Sequence, residues 1–128
     1  MKQEKRLTRT EFEVMEAIWK KDKKMTANQI LENLPSEKEW KIQTLITLLK
    51  RIVNKGYLET EKKGGERLYY AMISRDVYLK METKDFLTHY HNNSFKNLVS
   101  TLMDEESDET LEEILVLLEE WKRDGKRQ

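Results

Sequence analysis

Residues 40–58 read WKIQTLITLLKRIVNKGYL, and the rest of the chain is organised around this stretch. At 100° per residue its side chains divide into two faces. One face is apolar and consists of Leu45, Leu48, Leu49, Ile52 and Val53. The opposite face is polar and consists of Gln43, Thr44, Thr47, Lys50, Arg51 and Asn54. The pattern predicts one amphipathic helix from about Lys41 to Lys55, which ends at Gly56, where helices commonly adopt a left-handed residue.

The polar face of this helix contains no carboxylate, although 24 of the 128 residues are Asp or Glu. Such a face suits an anionic partner. The formal net charge is zero, which argues against a nucleic-acid binder, but the charges are unevenly distributed. Residues 1–73 hold 16 Lys+Arg and 11 Asp+Glu, and residues 74–128 hold 8 and 13, so the two parts carry +5 and −5. The basic part suits a polyanion, while chance unevenness of a charged surface is the alternative.

Length and composition limit the class of protein. A chain of 128 residues, 38% apolar and 38% charged, suits one compact unit or a small domain with an extension, built from helices with one wet face. With no cysteine, there is neither a disulfide framework nor a thiolate metal site. No apolar run approaches 18 residues, and the charged start MKQEKRLTRT is no signal peptide. We therefore expect a cytoplasmic protein.

Two helices and a hairpin flank the central helix. Thr8 and Glu11 fit a capping box before a helix at about 10–21, and a shorter helix follows at 27–34 and stops at Pro35. After the central helix, two strand-like runs surround Lys63-Gly64-Gly65-Glu66, whose glycines suit a tight turn. Three helices and a hairpin are typical of a winged helix-turn-helix domain, here residues 1–74, whose last helix enters the major groove.

Residues 75–128 are helical and acidic, with predicted helices at about 75–91, from 94 to 103 and at 108–122. In the last helix, apolar residues repeat at spacings of three, four and three, which is typical of a helix-packing seam. Helices of this size usually need a partner to close a core, so we predict a dimerisation domain, with packing on the N-terminal domain as the alternative. The predicted dimerisation residues are Phe86, Tyr90, Phe95, Leu98, Val99, Leu102, Leu111, Ile114, Leu115, Leu118 and Trp121.

With these elements in place, the sequence resembles the penicillinase-repressor family, the BlaI/MecI/CopY type of transcriptional repressors. The resemblance rests on LTRTEFEVMEAIW, KEWKIQTLITLLKRIVNKGYL and the Tyr69-Tyr70 strand, and more weakly on FKNLVSTLMDEES and the final helix. It implies a homodimer in which each winged-helix domain reads half of a dyad operator while the C-terminal helices dimerise. The fold class expected is therefore mainly α with a small β-hairpin: a winged helix-turn-helix domain followed by a three-helix dimerisation domain.

The resemblance also implies a regulator for some members of the family. In drug-responsive members a membrane-bound sensor protease cleaves the C-terminal domain, at a bond that corresponds to Thr101-Leu102 here. The family has asparagine and phenylalanine at that bond, so this chain departs from the pattern. The copper-responsive branch carries paired cysteines near its C-terminus, and this chain has none.

The residue types of the central helix suggest how it would contact DNA. Gln43 can pair bidentately with adenine, and the methyl groups of Thr44 and Thr47 can meet a thymine methyl. Lys41, Lys50 and Arg51 suit phosphate, and Arg51 could also read guanine. The alternative is a solvated face.

Ile46 lies between the two faces, at a position where family members often carry arginine or lysine. It would cap the core or press on a thymine methyl, and we expect it to shift operator choice. At the hairpin tip, Lys62, Lys63 and Arg67 suit phosphates beside the groove, and simple solvation is the alternative.

No catalytic or metal-binding pattern emerges from the sequence. His89 and His91 lie about 200° apart on a helix and lack a third ligand, so we expect neither a metal nor a cofactor. No nucleophile, base and carboxylate set is apparent, so an enzyme is not expected. The prediction is a DNA-binding repressor, and a winged-helix protein-interaction module without DNA is the alternative.

Overall fold

The computed structural model describes residues 6–35, 39–103 and 105–125. The chain divides into two compact units, Met1–Glu82 and Thr83–Gln128. The first unit contains three helices and a hairpin, and the predicted class, mainly α with a small antiparallel hairpin, is confirmed. The division between the units falls inside the fourth helix.

The first two helices begin at capping boxes. Helix α1, Arg9–Lys21, starts after Thr8, whose side chain accepts a hydrogen bond from the Glu11 amide while the Glu11 carboxylate accepts one from the Thr8 amide. Helix α2, Ala27–Glu32, starts in the same way at Thr26 with Gln29. Each box satisfies two amides that the first helical turn would otherwise leave unpaired. Helix α2 is two residues shorter than predicted, and Pro35 follows it.

Helix α3, Ile42–Lys55, is the central helix of the first unit. Its buried residues are Leu45, Leu48, Leu49 and Ile52, and Val53 is half-buried against the same core. The helix ends at Gly56 with φ +94°, a conformation that costs glycine little. The face that the sequence periodicity assigned to the core is the face that α3 buries against α1, α2 and the hairpin.

The hairpin consists of β1, Leu58–Lys63, and β2, Glu66–Ala71, paired antiparallel. Gly64 and Gly65 form the turn with φ values of +59° and +84°, as a two-residue hairpin turn requires. Met25 extends the sheet by one bridge, because its amide and carbonyl both bond to Tyr69 at 3.1 and 2.7 Å. This bridge fixes the hairpin to the loop before α2.

Three helices complete the chain: α4, Arg75–His91; α5, Phe95–Met103; and α6, Asp108–Asp124. Asn92 and Asn93 adopt positive φ between α4 and α5, which asparagine tolerates better than most residues. Ser107 caps the start of α6, and Gly125 ends it with φ +63°. No residue of α5 or α6 that the structure describes is buried. Among the described helices, none has the length and apolar character needed to cross a membrane.

Candidate nucleic-acid interface

The outward face of α3 is the predicted polar face. Its exposed residues are Gln43, Thr44, Thr47, Lys50, Arg51 and Asn54. Helix α3 contains no aspartate or glutamate, so every charge that it presents to solvent is positive. The face combines amide, hydroxyl, ammonium and guanidinium groups, which are the donors and acceptors that meet bases and phosphates.

Two details refine the chemistry of the first half of α3. Lys41 begins the helix without a side-chain hydrogen bond to the first turn, so it does not cap the amides there. The Thr47 hydroxyl donates to the Gln43 carbonyl at 3.1 Å, a bond within the helix itself. The Thr47 hydroxyl proton is thus engaged within the helix, and the hydroxyl oxygen, as an acceptor, and the methyl group stay available to a ligand.

The hairpin register separates its three tip cations. Lys62 lies directly opposite Arg67, and Lys63 lies opposite Glu66. Because side chains alternate across a strand, Lys62 and Arg67 share a face of the hairpin with the buried Tyr69, whereas Lys63 lies on the other face beside an acid. Tyr70 lies on that second face and is half-exposed, so only Tyr69 of the two tyrosines is buried.

Arg67 is held in place by a neighbour. Its Nη1 donates to the Thr60 hydroxyl at 2.9 Å, across the two strands. Both side chains line a cleft of about 560 Å³ between α3 and the hairpin. Arg67 therefore lies on the side of the hairpin that adjoins α3, in the same cleft as Lys50 and Asn54.

Ile46 also lines this cleft, half-buried, together with Ile42 and Lys50. The predicted intermediate position of Ile46, between the core face and the polar face, is what the structure shows. Its aliphatic side chain therefore contributes to the junction between α3 and the hairpin, in a cleft that Lys50, Arg67 and Glu66 also line.

A buried ion pair that the sequence did not reveal holds the C-terminal end of α3. The Lys55 ammonium lies 2.5 Å from the Glu11 carboxylate and also donates to the Arg6 carbonyl at 2.8 Å. Burial on its own would raise the pKa of Glu11, but the bonds from Lys55 and Thr8 outweigh it and hold that pKa below 4.5. The two residues are 44 positions apart, so no local pattern could have signalled the pair.

The two histidines of the second unit do not converge. His89 faces Asp85 of its own helix, with Nδ1 and Oδ1 3.3 Å apart, and His91 bonds through Nδ1 to the side chain of Asn97 at 2.5 Å. Within residues 6–35, 39–103 and 105–125, no three His, Cys, Asp or Glu side chains are grouped to hold a metal ion.

The second unit leaves many apolar side chains exposed. Of the predicted dimerisation residues, Leu98, Val99 and Leu111 are half-buried, and the others are exposed. Tyr90 is 67% exposed and Trp121 is 50% exposed. Thr101 and Leu102 are exposed on α5, and the Thr101 hydroxyl donates to the Asn97 carbonyl.

Comparison with known proteins gives the relationships of the chain. Residues 7–122 match the family model described as penicillinase repressor. A penicillinase repressor from Bacillus licheniformis is 29% identical over 124 residues, which cover 95% of this chain and 96% of that protein. The methicillin resistance regulatory protein MecI from Staphylococcus aureus strain N315 is 29% identical over 88% of this chain and 92% of its own length.

The first unit also resembles a solved structure. The solution structure of the DNA binding domain of the repressor BlaI is 31% identical in sequence and superposes with a TM-score of 0.51. The match covers 59% of this chain and 90% of that domain. The described winged-helix arrangement is therefore that of a DNA-binding domain.

Proposed function

Since the chain belongs to the penicillinase repressor family and is a DNA-binding transcriptional repressor, we propose that it binds a dyad operator as a homodimer. Residues 1–74 would form the DNA-binding domain and residues 75–128 the dimerisation domain. The observation that carries the proposal is the outward face of α3, which is exposed and free of carboxylates. Repression would follow from occupation of a promoter in the cytoplasm.

Helix α3 would lie in the major groove, with its N-terminal half toward the base edges. Gln43 would read adenine, and Thr44 and Thr47 would present methyl groups to thymine. Because the Thr47 hydroxyl proton is bonded to the Gln43 carbonyl, Thr47 would contact a base through its methyl group or through its oxygen as an acceptor. Lys41 would bind phosphate near the start of the helix, where uncapped amides also favour an anion.

Contacts to the DNA backbone would come from both α3 and the hairpin. Lys50 and Arg51 lie on the second half of the exposed face, where phosphates flank the groove. Lys62 and Arg67 share the hairpin face that adjoins α3, so they are the stronger phosphate candidates at the tip. Lys63 lies on the opposite face beside Glu66 and would contribute mainly through its long-range charge.

The exposed apolar side chains of the second unit support the homodimer. Phe95, Leu117, Leu118 and Trp121 line one groove, and a cluster of exposed apolar side chains usually marks an interface. The face of α6 that carries Ile114, Leu118 and Trp121 would pack on a second copy, as a helix-packing seam requires. Trp121→Glu should convert the dimer to a monomer in sedimentation analysis. Val116→Glu, on the opposite side of α6, is the matched control and should leave the dimer intact.

A membrane-bound sensor protease is a further proposed partner. Cleavage of the Thr101–Leu102 bond would separate α6 from the DNA-binding domain and so dissolve the dimer. The bond lies in a helix, and a protease needs an extended substrate, so α5 would have to unwind first. Because the chain has Thr-Leu rather than Asn-Phe at the bond, the double change Thr101→Asn and Leu102→Phe should speed cleavage by a family sensor protease.

The test of the proposed function is a binding titration with the full-length protein. A dyad duplex obtained by selection from randomised sequence should bind more tightly than a scrambled duplex of the same composition. The logarithm of affinity for both should fall linearly with the logarithm of salt concentration, because Lys and Arg contacts release counterions. Equal affinity for the two duplexes would contradict the proposal. Absence of a salt-dependent affinity for any duplex would favour the protein-interaction module.

A further inference from the structure

One peptide group connects the recognition helix to the helix that leads out of the first unit. The Arg6 carbonyl accepts a hydrogen bond from Lys55 at 2.8 Å, and the Leu7 amide of the same peptide group donates to the Tyr78 hydroxyl at 3.2 Å. Lys55 is the last residue of α3, and Tyr78 lies in the first turn of α4. A peptide group is planar and rigid, and in the trans form its carbonyl and amide point in opposite directions. The Arg6–Leu7 peptide therefore links α3 to α4.

Charged groups hold this peptide in place from both sides. On the α3 side, Lys55 also binds the Glu11 carboxylate, which is 1% exposed. The same carboxylate accepts a hydrogen bond from the Thr8 amide. On the α4 side, the Tyr78 hydroxyl donates to Glu82 Oε2 at 3.0 Å. Arg6 Nε donates to the same oxygen at 2.9 Å, which closes the ring of contacts.

The Tyr78 side chain is fixed by packing as well as by hydrogen bonds. It is 3% exposed, and its ring lies 5.4 to 5.9 Å from the rings of Phe12, Trp19 and Tyr57. An aromatic contact tolerates small rotations, whereas hydrogen bonds are directional and weaken steeply with angle. The packing holds residues 75–82 of α4 in the first unit, and the hydrogen bonds add a directional constraint on them.

We propose that this ring of contacts, made by Arg6, Leu7, Glu11, Lys55, Tyr78 and Glu82 and called here the Tyr78 network, sets the separation of half-sites that the repressor accepts. The proposal rests on the homodimer and dyad operator proposed above. Helix α4 runs from Arg75 to His91, so it begins in the unit that carries α3 and ends in the unit proposed to dimerise. In the proposed dimer, the angle between α3 and the start of α4 would therefore affect the distance between the α3 helices of the two subunits. The residues of the Tyr78 network would be positioning residues, which affect DNA binding by orienting α3.

The experiment compares dyads that differ only in half-site separation. Adding one base pair moves a half-site by about 3.4 Å and rotates it by about 35°, given one turn in 10–10.5 base pairs. The selected dyad, versions with one base pair added or removed, and a duplex with a single half-site are titrated with the full-length protein. Tyr78→Phe removes only the hydroxyl and keeps the ring. Tyr70→Phe is the matched control, because the Tyr70 hydroxyl bonds Glu59 outside the network.

The wild type and Tyr70→Phe should discriminate strongly between the selected spacing and its neighbours. Tyr78→Phe removes both hydrogen bonds of the hydroxyl. The discrimination should then fall by about fivefold or more, since about fivefold corresponds to one net hydrogen bond, while single half-site affinity stays unchanged. An equal loss of affinity for every duplex, including the single half-site, would indicate a structural role only and overturn the proposal. Unchanged discrimination in Tyr78→Phe would also overturn it, and would leave the proposed function intact.

Two further outcomes are distinguishable. If the wild type shows no preference for a dyad over a half-site, the proposed function itself fails. If Tyr78→Phe does not fold, Lys55→Met combined with Glu11→Gln tests the same network from the α3 side. Methionine fills the space but cannot donate to the Arg6 carbonyl, and the second change leaves no unpaired carboxylate buried. The double variant should reduce discrimination in the same way, and full discrimination in the folded double variant would overturn the proposal.

Discussion

Lys55, at the end of α3, and Glu11, near the start of α1, form a buried ion pair in which the carboxylate is 1% exposed. The pair ties the end of α3 to the first turn of α1, and Lys55 also donates to the Arg6 carbonyl there. Removing one partner would leave the other charge buried without compensation, which is far more costly than losing an exposed pair. The stability of the DNA-binding unit should therefore depend on this contact and on pH.

The first prediction concerns this pH dependence. Because the folded-state pKa of Glu11 lies below 4.5, its ordinary value, the pair contributes fully above that pH and is lost as pH falls through the folded-state pKa. Glu11→Gln should lower the free energy of unfolding at pH 7 by about 3 kcal/mol and should flatten the decline below pH 4.5. Urea unfolding at a series of pH values measures both effects. Glu32→Gln, at an exposed position on α2, should leave the stability nearly unchanged.

The second prediction separates base reading from phosphate binding on α3. Gln43→Ala should reduce discrimination at one base pair by about 1–3 kcal/mol, because a bidentate contact to adenine is lost. Lys50→Ala should weaken binding equally on all sequences and reduce the slope of log affinity against log salt by about 1. Titrations on the selected dyad and its single-base variants, at several salt concentrations, distinguish the two. Lys20→Ala, an exposed cation at the end of α1, controls for loss of charge alone.

The third prediction concerns the hairpin turn. Gly64 has φ +59°, and a Cβ added there would meet nothing within 4 Å, so the constraint is the backbone conformation rather than space. Gly64→Ala should cost about 1–2 kcal/mol in unfolding free energy, the cost of a left-handed residue with a side chain. Gly64→Asn should cost less, since asparagine tolerates this conformation. Equal stability of the alanine and asparagine variants would contradict this explanation of the turn.

The faces of α3 could be predicted from the sequence because a strong 3.6-residue period separates them residue by residue. The turn was predictable for a similar reason, since Gly64 and Gly65 meet a local backbone requirement. The helical period and the glycine turn both depend only on residues close together in the sequence, and such patterns can be seen in a single sequence. The alternation of side chains along each strand also places Lys62 and Arg67 on one face, but this follows only once the pairing register is known.

Contacts between distant parts of the chain were not predictable in this way. The Met25 bridge to Tyr69 and the Tyr78 contact with Leu7 depend on how the elements pack, which no period in the sequence encodes. Tyr78 belongs by sequence to the helical C-terminal part, yet it is buried in the first unit. For α5 and α6, the periodicity of the sequence predicts the helices and their apolar faces, whereas what covers those faces depends on packing that no period encodes.

The last prediction concerns Ile46, which lines the cleft between α3 and the hairpin together with Lys50 and Arg67. Ile46→Arg would place a guanidinium where an aliphatic side chain now lies, within reach of guanine edges that isoleucine cannot recognise. Selection from randomised duplex should then return a different preferred operator, whereas Ile46→Val, which keeps an aliphatic side chain, should return the wild-type operator. An arginine variant that binds as tightly as the wild type and selects the same sequence would show that Ile46 serves only the packing of the cleft.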